Sequence, residues 1–182
     1  MEKNRLKAFS DGIIAIIIFI TVLKLKQLAS KNLNDFRELS PVLFAYIFSF
    51  MFIAIFWTNH HFLIKRAKVI STKAFWSNTA WLSIMFAIPF TTSLVCRYPN
   101  SFAILSVYFL NITLSYIAYQ IMCLLIAQEN GDEIKHRVRS IVCLVAYSCA
   151  TMFGGFYPLA AFAVVAAVTC LWLFIEKKKH DK

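Results

Sequence analysis

Residues 6–26, LKAFSDGIIAIIIFITVLKLK, form an apolar run long enough to cross a bilayer, entered through Arg5, Ser10 and Asp11. A membrane-spanning helix needs about 20 mainly apolar residues. Beyond Gly12 this one offers about three apolar turns with no polar face to give to water. Five more apolar runs follow, at about 41–64, 74–95, 102–127, 138–153 and 159–175, separated by short polar connections. The chain is 60% hydrophobic and 15% charged, where a soluble domain is about a quarter charged. So little charge cannot cover a water-facing surface, and the outside must meet lipid. The expected fold is an all-α integral membrane protein with six transmembrane helices, one domain over residues 1–182 with no room for a separate soluble unit. The opening run has no small-residue cleavage site and reads as a retained span, not a signal peptide. Ser40-Pro41 reads as the cap and first turn of the second helix.

The net charge of +10 raises the question of a nucleic-acid partner, but the charges are not patterned for one. Lysine and arginine sit in short loops and at the chain ends. Lys3, Arg5 and Lys7 precede the first run; Lys65, Arg66, Lys68 and Lys73 follow the second. Lys135, Arg137 and Arg139 precede the fifth, and Lys177, Lys178, Lys179 and Lys182 close the chain. The alternate loops are poorer in positive charge. An even number of spans with both termini cytosolic fits this distribution, and membrane lipids with anionic headgroups are the expected partner of the basic loops. No nucleic acid is implied. The five cysteines show no CxxC spacing, and four fall inside apolar runs, where a thiol behaves as a small hydrophobe. Neither a disulfide framework, a metal site nor a cofactor is indicated.

Ionisable groups inside a span are costly and point to an interior polar role. Those present are Arg5, Asp11, Lys24, His60 and His61, with Ser10, Asn59 and Asn78 as uncharged partners. Arg5 and Asp11 lie on different faces of one helix, so each is expected to reach toward a neighbouring helix. A buried polar clasp among spans one, two and three is the simplest use for them. Further along, Ile13, Ile16, Ile20 and Leu23 share a stripe at helical spacing. Such a stripe packs on lipid or helices, or lines a pore that excludes water from its narrowest rings. Periodicity alone leaves both open.

Other functions can be weighed on the same residues. A proton-linked transporter would titrate Asp11 and His60, but no inverted repeat or pair of broken helices accompanies them. An enzyme using His60 and His61 meets a geometric objection, since adjacent histidines point about 100° apart on a helix. HExxH, GxSxG and Walker patterns are absent.

Arg5, Phe9-Ser10-Asp11-Gly12, Trp57-x-Asn59-His60-His61, Asn78 and Pro89-Phe90 together resemble the prokaryotic branch of the transmembrane protein 175 family of potassium-permeable channels. The match covers roughly residues 5–95. The resemblance implies six-helix subunits in a homotetramer, with the first helix of each surrounding a central pore for potassium and other monovalent cations. It implies a constriction of bulky aliphatic residues mapping onto Ile16, Ile20 and Leu23, and no TVGYG-type carbonyl filter. Arg5, Ser10, Asp11, Trp57, His60 and Asn78 would form an interhelical polar network near the cytosolic end. Two positions depart from the family pattern. Phe19 stands where a threonine is common, three residues after the first constriction residue, and Lys24 stands where an acidic residue often follows. With Ile13, these are the positions whose place relative to the pore the sequence leaves open. A passive channel in the cell membrane is the leading expectation, beside a closed member of the family in which Phe19 plugs the path.

Overall fold

The computed structural model describes residues 3–29, 36–131 and 137–177, with side chains described for 3–24, 43–131 and 140–170. These segments form seven helices: α1 Lys3–Ala29, α2 Phe36–Arg66, α3 Thr72–Met85, α4 Ile88–Arg97, α5 Phe102–Asn130, α6 Arg137–Phe153 and α7 Pro158–Lys177. Four stretches among the described residues are long and apolar enough to cross a membrane: Lys3–Lys24, Leu43–Arg66, Thr72–Arg97 and Phe102–Asn130. The third combines α3 and α4, so seven helices correspond to six apolar runs. Ser140–Phe153 and Pro158–Cys170 are shorter apolar helices.

Three boundaries differ from the sequence reading. α2 begins at Phe36, so Pro41 lies in its second turn and Ser40-Pro41 does not start the helix. The arginine, glutamate and leucine at 37–39 are good helix formers and extend it outward. α5 continues past 127 to Asn130 and stops at Gly131, whose φ of 68° supplies the left-handed turn that ends a helix. The third run breaks at Phe86–Ala87. Pro89 lacks an N–H, so the carbonyl of Met85 loses its helical donor. Next to the break, Asn111 Nδ2 of α5 donates to the carbonyl of Ile84 (3.2 Å), and Thr91 Oγ1 donates to Asn111 Oδ1 (3.3 Å).

α1 packs on α2 and α4 and, near its start, on α3; α5 packs on α3, α4 and α6, and α7 on α6 and α2. Inside lipid, helices gain little from water exclusion and are held by close packing and interhelical hydrogen bonds. Large aromatic rings do much of the filling. Phe162 of α7 sits 5.0 Å from the rings of both Phe48 and Phe109 and 5.6 Å from Tyr108. Two hydroxyl links cross the same region: Ser49 Oγ to Thr92 Oγ1 and to Tyr108 Oη, both 2.8 Å. Tyr147 Oη meets Thr169 Oγ1 at 2.8 Å.

Candidate pore face and interhelical polar bridge

Near its start, α1 presents two different sides. Leu6, Ser10, Ile14, Ile17 and Thr21 are buried against the bundle. At 100° per residue, positions 5, 12, 16, 19 and 23 fall together on the opposite side, and all five are exposed. Ile16 is 52% exposed and Phe19 is 61% exposed. A methyl group added at Gly12 would meet nothing within 4 Å, so this side carries no neighbouring helix of its own chain. Ile13 and Ile20 sit at the edge, half-buried. Phe19 therefore shares the uncovered side with Ile16 and Leu23. Lys24 does not. It lies about 100° around the helix from Leu23 and lines a small cleft with Thr21, Tyr46, Pro89, Thr92, Ser93 and Cys96.

On the bundle side, three buried polar residues join α1, α2 and α3. Ser10, His60 and Asn78 are each 0% exposed. The Ser10 hydroxyl donates to the carbonyl of Leu6 (3.0 Å) and accepts from Asn78 Nδ2 (3.0 Å). That fixes the Asn78 amide with Oδ1 toward His60 Nε2, 2.8 Å away. An amide oxygen can only accept, so Nε2 carries the proton. The chain of donors then runs one way, from α2 through α3 to α1. His60 also stacks on Trp81, with ring centroids 5.0 Å apart and planes at 18°.

A second link lies on the exposed side of the same level. Trp57 Nε1 donates to Asp11 Oδ1 at 2.8 Å, again tying α2 to α1. Arg5 stands apart from both links. It is exposed on the uncovered face of α1 and pairs with nothing among the described residues. Of the six polar residues singled out in the sequence, five thus form three interhelical hydrogen bonds, and Arg5 joins none of them. The hydroxyl links of Ser49, Thr92 and Tyr108 and the amide of Asn111 lie apart from the charged groups and the opening motif and are not among the residues expected from the sequence. Polar letters inside otherwise apolar runs were the available signal. Among the described residues, no group of three or more His, Cys, Asp or Glu side chains could hold a metal ion.

A family model described as endosomal/lysosomal potassium channel TMEM175 matches residues 5–89, the part of the chain that contains the uncovered face and the polar bridge. A potassium channel of Chryseobacterium sp. (strain P1-3) is 31% identical over an alignment covering 98% of this chain and 96% of that protein. A potassium channel of Chamaesiphon minutus is 31% identical over 53% of this chain and 51% of its own length. The crystal structure of a lysosomal potassium-selective channel TMEM175 homolog from Chamaesiphon minutus matches with a TM-score of 0.77 at 22% identity, covering 97% of each chain, which shows a shared fold end to end. The polar bridge lies within the family match, and a 31%-identical relative aligns along nearly the whole chain, so this chain belongs to the TMEM175 potassium channel family.

Proposed function

We propose that this chain is one subunit of a passive potassium-permeable cation channel, a homotetramer in the cell membrane with both termini cytosolic. The first helices of the four subunits surround the pore, and Ile16, Ile20 and Leu23 form a hydrophobic constriction that stands in place of a carbonyl filter. Ions cross when that constriction widens or wets, driven only by their gradient. The observation that carries this reading is the uncovered apolar side of α1. Only 28% of its span is buried within the chain, against 50% for each of the next three spans. A helix at the centre of a tetramer needs that second surface.

The test is potassium flux into liposomes carrying the purified protein, with valinomycin as the control. Ile16→Asn places an amide in the constriction and is expected to raise flux several-fold. Unchanged or lower flux in that variant, beside a conducting wild type, would count against Ile16 as a constriction residue.

A second reading is a closed member of the family. Its support is Phe19, the more exposed of the two central residues on the uncovered side. Four such rings turned toward one axis would block it. Lys24, lying toward α4, gives no support to a ring of positive charge beside Leu23.

A further inference from the structure

The basic end of the bundle carries a set of bonds separate from the polar bridge. Lys3, in the first turn of α1, donates its Nζ to the carbonyl oxygens of Lys65 (2.6 Å) and Ala67 (2.8 Å). These carbonyls lie at the C-terminal end of α2, where helical donors run out and the helix dipole favours a cation. The end of α5 holds the same turn from the other side. Asn130 Oδ1 accepts from the backbone N–H of Lys68 (2.6 Å) and Val69 (2.9 Å), and its Nδ2 donates to the carbonyl of Val69 (3.0 Å). The Glu129 carboxylate accepts from the N–H of Ser71 (3.2 Å) and from the Ser71 hydroxyl. Ser71 in turn caps α3 through the N–H groups of Lys73 and Ala74.

The turn between α2 and α3 is therefore pinned through its backbone by α1 and by α5, with Ala67 and Ile70 buried beneath it. What it leaves outward is Lys65, Arg66, Lys68, Val69, Lys73 and Trp76, all exposed. Among the described residues, Glu129 is the acidic side chain beside the turn and is engaged by Ser71, so four cations surround two exposed apolar side chains. Basic residues at a membrane surface attract anionic headgroups, and tryptophan favours the headgroup layer. A soluble acidic partner would match the charge but gives Val69 and Trp76 no apolar layer to enter.

We propose that this pinned turn is a docking surface for anionic phospholipid headgroups, and that Lys3 ties its position to the start of α1. The inference rests on the membrane fold and not on potassium conduction. Headgroups hold the turn at the membrane surface, and the two bonds from Lys3 pass that restraint to the first turn of α1.

Hydrogen exchange in nanodiscs tests both halves without an ion current. Nanodiscs of phosphatidylglycerol are compared with nanodiscs of phosphatidylcholine. In wild type, phosphatidylglycerol is expected to slow exchange at residues 66–73 and at 3–10, by about fivefold for each cation engaged. The combined variant Lys65→Gln, Arg66→Gln, Lys68→Gln should lose the lipid difference at both segments. Lys3→Met should keep it at 66–73 and lose it at 3–10. A wild type that exchanges alike in the two lipids overturns the docking surface, as does a triple variant that keeps the wild-type difference. Protection of 3–10 that survives Lys3→Met overturns the tie to α1. Absent potassium flux in liposomes would sink the channel reading and leave these outcomes to judge the surface.

Discussion

Asn78 is the residue on which three helices meet. Its amide uses Oδ1 toward α2 and Nδ2 toward α1, at 2.8 and 3.0 Å, so no other single side chain in the bridge could serve both partners. Asn78→Ala strands the His60 Nε2–H and removes the donor to Ser10, both in fully buried positions. Leaving buried polar groups unpaired costs about 1–3 kcal/mol, at the lower end where lipid-embedded hydrogen bonds are weak. The Trp57–Asp11 bond is exposed, and Trp57→Phe keeps most of the ring's apolar bulk; its cost is expected below about 1 kcal/mol. Unfolding midpoints in detergent check the order. A larger loss in Trp57→Phe than in Asn78→Ala would show that burial does not rank these two links.

At the scale of elements, the turn between α6 and α7 shows how a backbone position can matter where the letters look ordinary. A methyl group at Gly154 would run into the carbonyl oxygen of Ala150 and the ring of Phe109, and Phe109 is fully buried. At Gly155 it would run into the ring of Phe102, but Phe102 is about half exposed and can turn outward. Gly154→Ala is therefore expected to destabilise by the overpacking range of about 1–3 kcal/mol or more, and Gly155→Ala by less. Thermal unfolding of the two purified variants measures the difference, and equal losses would contradict it. Gly154, Gly155 and Pro158 lie between the fifth and sixth apolar runs, and those runs are legible in the sequence because lipid permits little else. The sequence left other features hidden for physical reasons. Pro89 stands within the third run, yet nothing local to it names Asn111, which sits in another helix and reaches the carbonyl of Ile84. The bonds from Lys3 and from Asn130 to the turn between α2 and α3 join residues far apart in sequence through backbone groups, and backbone groups leave no letter to read.

For the whole molecule, the uncovered side of α1 stands out because this span is the least buried of the four long apolar spans among the described residues. Periodicity could place Ile13, Ile16, Ile20 and Leu23 near one another, but a helix apolar all round does not reveal which side its own bundle covers. The fold does: Ile16, Phe19 and Leu23 stand clear while Ile13 and Ile20 lie at the edge. In the proposed tetramer, four copies meeting on that side would bring the Phe19 rings into the same layers as the aliphatic side chains, and this makes Phe19→Ala an informative change. Removing the ring takes bulk from an exposed position and opens no cavity in the chain's own core, so the fold and the mass of the assembly, measured by light scattering in detergent and expected to be that of the proposed tetramer, should stay as in wild type. Flux in liposomes is expected to rise several-fold, because the widest side chains on the proposed pore face have gone. Flux equal to wild type, alongside an increase in Ile16→Asn, would place the Phe19 rings between subunits and away from the ion path. Loss of the tetramer would instead assign the ring to subunit contact, and the closed reading, which needs those rings on the axis, would fall with it.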